Sequence, residues 1–350
     1  MVKIEYDTKL DFNNVLIRPK RSTINSRSDV DLERSFNFKN GQMWKGVPII
    51  SANMATTGTF EVYNKMSKFK MITALHKFYT LQDYQQFNAD GNDLNPDYFM
   101  VSTGISEENF ENLSQILSSI SCKWICIDIA NGYINSLVIF CKKVRNMFPD
   151  KIIIAGNVVT REMVEELIHN GGVDIVKVGI GPGSVCTTRK KTGVGMPQLS
   201  AIIECADAAH GAGGHIVSDG GITCPGDMAK AFCAGADFTM AGGIFSGHDE
   251  NPGEIITTLD QNNQEKKYKM FYGMSSSFAM NRHYGKMEKY RSSEGKVVKV
   301  EYKGSLENTI LDYLGGLRST CTYINSKTIK NMPKCTTFVI VSQQLNNYFK

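Results

Sequence analysis

The sequence contains no long apolar run, since nowhere do about eighteen apolar residues follow one another. Residues 1–7 carry charges where a signal peptide would have its apolar segment. We therefore expect neither a membrane-spanning helix nor secretion. The formal net charge is only +4, whereas nucleic-acid-binding proteins concentrate Lys and Arg on one element. This argues against nucleic acid as the main partner.

The sequence also has no C-x-x-C pair and no histidine spacing typical of zinc sites. Its nine cysteines are an odd number, and reduced thiols in a cytosolic, cytoplasmic protein explain them best. One stretch is densely basic, residues 18–21 followed by Arg27. It is either a solvated surface segment or a contact with a phosphate-bearing ligand.

Eight short apolar runs, each bounded by turn or polar residues, recur along the chain. They are residues 47–53, 71–76, 98–104, 124–130, 152–157, 175–181, 215–221 and 238–243. Such runs are typical of parallel strands buried on both faces, and segments long enough for helices separate them. The helical segments are residues 107–120, 134–148, 161–170, 199–211 and 225–234.

This alternation predicts a (β/α)8 TIM barrel, for which about 250 residues is the usual size. The rival fold is an open doubly wound sheet, which normally has its glycine-rich turn after the first strand. Here the glycine-rich turns follow the sixth, seventh and eighth runs, so the barrel is favoured.

Residues 247–304 interrupt the repeat after the eighth run and are highly polar. A segment this long without a pattern of helices or strands is usually a lid or a binding loop. Helical periodicity resumes at residues 306–317, and residues 336–342 form a strand-like C-terminal tail. We therefore expect one barrel domain over residues 1–350, with a lid insertion after the eighth strand.

Cys186 lies in a glycine-rich loop, residues 178–189, directly after the sixth run. Most isolated cysteines are small core residues. Here the neighbours are glycine, serine and threonine, followed by Arg189, Lys190 and Lys191. Polar and cationic surroundings favour the thiolate, which is the reactive form. The loop therefore makes Cys186 a candidate nucleophile.

The C-terminal ends of barrel strands meet at one mouth, so polar residues there form one site. Lys77, Asp128 and Asp219 each follow an apolar run, and the alternative is that they only pair and cap the barrel. The loops after the seventh and eighth runs contain Gly-Gly pairs, where barrels commonly bind phosphate. Such pairs also occur in plain tight turns.

A thiol beside a bound phosphate suggests covalent catalysis on a nucleotide base. The Ser184 hydroxyl could contact the same phosphate. Proton transfer needs a partner, and Thr188 and Glu294 are the candidates. A glutamate in a loop is otherwise a solvated surface residue.

Long motifs carry a resemblance to a known family. GIGPGSVCTTR, SDGG, AGGIFSGH, MSS and EGK, with LDFNNVLIRPKRST near the start and LGGLRSTCTY near the end, resemble the IMP dehydrogenase and GMP reductase family. Dehydrogenases usually carry a regulatory CBS domain after the second strand, and roughly twenty residues after His76 leave no room for one. YRSSEGK and KKTGVGMPQLSA resemble the reductase branch. The resemblance implies NADPH-dependent reductive deamination of GMP to IMP and ammonia.

The resemblance also implies residue roles. Cys186 would attack carbon 2 of guanine to give a thioimidate, while Thr188 and Glu294 handle the leaving ammonia and its proton. The implied GMP contacts are Ser184, Asp219, Gly220, Gly221, Gly242, Gly243, Gly273, Met274, Ser275, Arg291, Ser292, Ser293 and Gly295. The implied NADPH contacts are Lys77, Asp128, Ile129, Ala130, Ile180 and Gly181, with Ser26, Arg27, Ser319, Thr320, Cys321 and Thr322 from a neighbouring subunit of a homotetramer. A potassium site would involve Gly181, Gly183, Cys186 and Arg189.

Two other functions remain open. One is an IMP dehydrogenase lacking its regulatory domain, which would need a water-activating base in the lid and would use NAD. The other is a non-catalytic barrel that binds purine nucleotides. The chain departs from the family at Ala55, where Asp is usual, so we do not expect the local polar contacts that a carboxylate would make there. Residues 249–267 are also longer than expected, which predicts an extended surface loop.

Overall fold

Residues 2–285 and 292–342 are described by a computed structural model. Three strands precede the barrel: β1 (Val15–Ile17), β2 (Arg34–Asn37) and β3 (Met43–Gly46). Strands β2 and β3 form an antiparallel hairpin. The ring of Phe36 stacks on Phe238 with centroids 4.4 Å apart, and Trp44 meets Trp124 edge-on at 5.5 Å. Because Phe238 and Trp124 begin barrel strands, the hairpin closes the N-terminal end of the barrel.

Eight parallel strands form a closed barrel in the order β10-β11-β4-β5-β6-β7-β8-β9. They are β4 (Ile49–Ser51), β5 (Ile72–Leu75), β6 (Phe99–Thr103), β7 (Trp124–Asp128), β8 (Ile152–Val158), β9 (Ile175–Val178), β10 (His215–Asp219) and β11 (Phe238–Ala241). Nearly every residue of β8 is buried, as expected for a strand covered on both faces. The predicted (β/α)8 barrel and its eight strand positions are confirmed.

Helices separate the strands, and those with buried side chains cover the outside of the barrel. They are α1 (Phe60–Met66), α2 (Leu81–Ala89), α3 (Glu107–Ser119), α4 (Asn135–Met147), α5 (Arg161–His169), α6 (Thr188–Thr192), α7 (Gln198–Gly211) and α8 (Pro225–Cys233). The prediction did not include α1, which is short, or α2, which buries only Tyr84 and so shows little apolar periodicity. Helix α3 begins where Ser106 accepts a hydrogen bond from the Asn109 amide at 3.2 Å.

The lid segment, residues 247–304, contains regular structure, so the prediction of a segment without helices or strands is wrong. Its elements are β12 (Ile256–Leu259), β13 (Glu265–Tyr272), α9 (Ser277–Tyr284) and β14 (Val297–Glu301). The three strands form an antiparallel sheet. Residues 249–267 thus form much of a hairpin instead of a surface loop. The first half of β13 is exposed and charged, which hides the strand pattern in the sequence.

The chain ends beside its beginning. Helix α10 (Leu306–Ile324) is longer than the predicted helix, and α11 (Met332–Cys335) leads to β15 (Phe338–Ile340). Strand β15 pairs antiparallel with β1, so the predicted strand-like tail is confirmed. None of the helices in the described residues has the length and apolarity needed to cross a membrane.

Asp237 joins several segments of the chain by hydrogen bonds at the N-terminal end of the barrel. Its side chain is 1% exposed and accepts hydrogen bonds from Arg34 at 2.6 Å, from His210 at 2.8 Å and from the Ile216 amide at 3.0 Å. Burial alone would raise the pKa of Asp237. The hydrogen bond from His210 and the nearby positive charges outweigh burial and hold the pKa of Asp237 well below its usual range.

We expect Asp237→Asn to lower the free energy of unfolding by about 3 kcal/mol, because Arg34 loses its buried partner. The bond to Asp237 raises the pKa of His210. The stabilisation that protonated His210 contributes is therefore fully present below the pKa of histidine in the unfolded chain, about 6.5. It is lost as the pH rises through the raised pKa of His210 in the folded protein. Thermal unfolding of wild type and variant should show a larger difference at pH 6 than at pH 9. An equal difference at both values would contradict this linkage.

Candidate active site

The loop after β9 is shaped by glycines. Gly179 and Gly181 have φ values of +152° and +83°, in the region that favours glycine. A Cβ on Gly179 would lie 2.2 Å from the carbonyl oxygen of Asp219, so the loop packs directly on the end of β10. Beyond it, the Cys186 amide donates to the Gly183 carbonyl at 3.0 Å. This turn presents a half-buried thiol at the C-terminal mouth.

The structure brings the three candidate catalytic residues together. The Cys186 thiol donates to the Thr188 hydroxyl with Sγ and Oγ1 3.2 Å apart. Thr188 donates to Glu294, with Oγ1 and Oε2 2.7 Å apart. A continuous hydrogen-bonded chain therefore links the thiol to a carboxylate, and a proton can move along it.

Backbone pairing sets the position of Glu294. The Thr187 amide donates to the Glu294 carbonyl at 2.8 Å, and the Lys296 amide donates to Val185 at 2.9 Å. Gly295 lies so close to the rest of the lid segment that an added Cβ would be 2.7 Å from the Ser276 amide nitrogen. Glu294 is therefore held against the cysteine loop and is not a solvated surface residue.

The loops after β9, β10 and β11 approach one another closely at glycine residues. Gly220 and Gly221 have φ values of +86° and +81°. A Cβ on Gly220 would lie 3.2 Å from the Gly183 amide nitrogen, and one on Gly243 would lie 2.7 Å from the Ser184 hydroxyl. Ser184 and Gly243 also border a cavity of about 660 Å³. Amides and a hydroxyl without intervening side chains suit an anion such as phosphate.

Other candidate nucleotide contacts lie in the lid segment beside Glu294. The Glu294 amide donates to the Ser275 carbonyl at 3.2 Å, and the Ser293 hydroxyl donates to the Gly295 carbonyl at 3.0 Å. Arg291 lies outside the described residues. The remaining candidates occupy the same two stretches: Gly273, Met274 and Ser292. Both stretches therefore flank the cysteine. Gly242 follows β11, where an added Cβ would lie 2.7 Å from the Met54 sulfur and 3.5 Å from the Phe271 ring.

Ala55, where the family resemblance leads us to expect Asp, makes an apolar contact. It is 8% exposed and packs against Tyr272 and Ala279 of the lid segment. Its amide also lies 3.3 Å from the Met274 sulfur. The alanine thus joins the loop after β4 to the lid segment through a small apolar cluster, where a carboxylate would be buried.

The candidate cofactor residues follow β5, β7 and β9. Asp128 ends β7 and accepts a hydrogen bond from Asn53 at 2.9 Å. The positive charge of Lys77, in the loop after β5, also acts on Asp128. Nearby, the buried Asn157 Oδ1 has no hydrogen-bond partner within the part of the chain that the structure describes. Polar groups of this kind fit a ribose or carboxamide. Ile129, Ala130, Ile180 and Gly181 complete the set.

Sequence reasoning missed Lys177, which lies in the middle of β9. Its side chain is 2% exposed, with Nζ 2.5 Å from Asp219 and 3.2 Å from Asp128. Burial lowers the pKa of this lysine, but attraction to the two carboxylates outweighs burial and raises it. The only signal was a charged residue inside an otherwise apolar run, Ile175–Val178.

The residues assigned to a neighbouring subunit form one surface. Arg27–Asp29 is a 3-10 turn that packs on α10, the helix that carries Ser319, Thr320 and Thr322. Helices in a βα repeat run back toward the N-terminal ends of the strands, so this surface lies away from the chain's own Cys186. Ser26 and Arg27 are exposed. Cys321 is fully buried, so its side chain belongs to the core.

The potassium candidates are backbone carbonyls of the cysteine loop. Neutral carbonyl oxygens are ligands suited to a large monovalent cation. The Gly183 carbonyl also accepts from Cys186, and the Arg189 carbonyl accepts from the Gly193 amide at 3.1 Å.

Among the described residues, the one cluster of metal-ligating side chains is His210, His215 and Asp237 at the other end of the barrel.

Comparisons with known proteins place this chain in a family. A family model described as IMP dehydrogenase / GMP reductase domain matches residues 9–346. GMP reductase 2 of Homo sapiens is 56% identical and is matched over 100% of this chain and 99% of its own length. GMP reductase 1 of Mus musculus is 57% identical with 100% of both chains covered. GMP reductase of Enterobacter sp. (strain 638) is 55% identical, with 99% of each covered. The family predicted from the motifs is confirmed: the chain belongs to the IMP dehydrogenase / GMP reductase family.

Proposed function

We propose that this protein is an oxidoreductase that converts GMP and NADPH, with two protons, to IMP, NADP⁺ and ammonium. The observation that carries the proposal is the chain of hydrogen bonds from Cys186 through Thr188 to Glu294 beside the glycine loops. Relatives named GMP reductase from mammals and bacteria, at 55–57% identity, support the same reaction.

In the first step the Cys186 sulfur attacks carbon 2 of the guanine base. The thiol proton passes to Thr188 and on to Glu294, which lies 2.7 Å from that hydroxyl. Glu294 and Thr188 then return a proton to the exocyclic nitrogen, the carbon–nitrogen bond breaks and ammonia leaves. Cys186 remains bonded to carbon 2 as a thioimidate.

NADPH, when bound, supplies the hydride that reduces carbon 2. We assign its binding to Lys77, Asp128, Ile129 with Ala130, and Ile180 with Gly181. The positive charge of Lys77 acts on the Asp128 carboxylate at the mouth. Cys186 leaves carbon 2 as the sulfur–carbon bond breaks, which releases IMP and restores the nucleophile.

The nucleotide is positioned by its phosphate and ribose. Ser184, Gly220, Gly221, Gly242 and Gly243 would hold the phosphate, and the Asp219 carboxylate would accept from ribose hydroxyls. Gly273, Met274, Ser275, Arg291, Ser292, Ser293 and Gly295 would cover the base, so the lid segment acts as a lid over bound GMP.

A homotetramer completes the cofactor site in this proposal. Ser26, Arg27, Ser319, Thr320 and Thr322 would reach the dinucleotide bound to a neighbouring subunit, and guanidinium groups pair well with the ribose phosphate of NADPH. Carbonyls of Gly181, Gly183, Cys186 and Arg189 would hold potassium. The nine free cysteines fit a reducing compartment such as the cytoplasm.

Gly243→Ala tests the phosphate site. The new Cβ would lie 2.7 Å from the Ser184 hydroxyl, so we expect the KM for GMP to rise by about tenfold or more. Gly315→Ala is the matched control, because a Cβ there meets no atom within 4 Å. Steady-state kinetics should show an unchanged KM in the control. An unchanged KM in Gly243→Ala would remove this loop from the phosphate site.

The product distinguishes the proposed reaction from its main alternative. Protein incubated with GMP and NADPH is expected to yield IMP by liquid chromatography. A dehydrogenase would instead convert IMP and NAD⁺ to xanthosine monophosphate. Conversion only of IMP would overturn the proposal, and bound but unchanged nucleotide would indicate a non-catalytic barrel.

A further inference from the structure

Lys177 is the one lysine that contacts both substrate-facing carboxylates, as far as the described residues go. Asp219 Oδ2 accepts from Lys177 at 2.5 Å and from Asn157 at 2.8 Å. Asp128 is held by Lys177 on one oxygen and by Asn53 on the other. The ammonium therefore lies between two strand ends that serve different substrates.

Few other groups near Lys177 could balance the negative charges of Asp128 and Asp219. Lys177 Nζ also lies 3.4 Å from the Met240 sulfur. The nearby Cys126 is buried, and burial raises the pKa of its thiol to about 12, so it stays neutral. The positive charge of Lys77, in the loop after β5, acts on Asp128. Without Lys177, the carboxylates of Asp128 and Asp219 would face each other beneath the site, and the positive charge of Lys77 would still act on Asp128.

We propose that Lys177 is a positioning residue that orients Asp219 toward the nucleotide ribose and Asp128 toward the cofactor, so that binding of both substrates depends on one buried ammonium. The inference rests on the proposed function for what each carboxylate contacts. Removal of the ammonium leaves like charges close together, and such a pair takes up a proton at a higher pH than either carboxylate alone. A protonated carboxyl group is a poorer acceptor for a ribose hydroxyl.

The test compares Lys177→Met and Lys177→Arg with wild type, through the KM for GMP and the KM for NADPH between pH 6 and pH 8.5. Lys230→Met is the control, since Lys230 is also buried but donates to the Phe12 carbonyl at 2.9 Å on the outer layer. Thermal unfolding of every variant measures any loss of stability separately.

In Lys177→Met we expect both KM values to rise at least tenfold, and to rise further as pH falls. In Lys177→Arg the charge is kept but the bulkier group displaces both carboxylates, so both KM values rise and stay independent of pH. Lys230→Met should change stability and neither KM.

A purely structural lysine would lower stability and leave the KM values and their pH dependence unchanged. That result, or a change in only one KM in either variant, would overturn the inference. If Lys177→Met does not fold, Lys177→Arg alone decides between these outcomes. Failure of the proposed function is distinguishable, because wild type itself would then not oxidise NADPH with GMP.

Discussion

Cys186→Ala is expected to lower turnover of GMP by at least about four orders of magnitude, because removing a nucleophile removes the covalent route. Alanine keeps the backbone of the loop, including the Cys186 amide bond to Gly183. The glycine surfaces that would hold phosphate are likewise unchanged. The affinity for GMP should therefore remain, and the loss of turnover should come from the chemical steps.

The measurement pairs NADPH oxidation with calorimetric titration of GMP. Cys335→Ala is the matched control, since this half-buried cysteine donates to the Asn325 carbonyl at 3.7 Å, near the C-terminal tail. The control should retain full turnover. Substantial turnover in Cys186→Ala would show that the reaction does not pass through a bond to this sulfur.

Glu294→Gln is expected to slow deamination of GMP by about 10²- to 10⁴-fold, the range typical for loss of a proton-transfer group. Glutamine preserves the shape of the side chain beside Thr188 but cannot take the proton. Hydride transfer between IMP and the cofactor involves no leaving ammonia, so it should be slowed less.

The two steps can be measured separately. NADPH oxidation with GMP reports the full reaction, and deuterium transfer from IMP labelled at carbon 2 to NADP⁺ reports the hydride step. Glu301→Gln, an exposed change on β14 of the same lid segment, is the control. Equal losses in both steps for Glu294→Gln would contradict the division of roles.

The barrel could be predicted because its physical cause is local. Strands buried on both faces need continuous apolar runs, and eight such runs can be read directly from the sequence. Cys186 and Thr188 are two residues apart on a glycine-rich loop, so their proximity was also readable. These features depend on residues close together in the chain.

Features that depend on pairing between distant segments could not be predicted in this way. Glu294 was named from the sequence, but its distance from Thr188 is set by backbone bonds between residues 185–187 and 294–296. The hairpin β2–β3 closes the barrel through aromatic contacts with residues 80 or more positions away in sequence, as between Trp44 and Trp124. The proposed role of Lys177, on β9, depends on ion pairs with Asp128 on β7 and Asp219 on β10, which are distant from it in the sequence.

The most direct test of the account is to mix the protein, potassium, NADPH and GMP, and to follow the nicotinamide absorbance while assaying ammonia in the same sample. We expect one NADPH to be lost and one ammonia to form for each GMP consumed. No loss of NADPH with GMP, together with NADH formation from IMP and NAD⁺, would contradict the account in favour of the dehydrogenase reaction. Silence with both substrate pairs would contradict it in favour of a non-catalytic nucleotide-binding barrel.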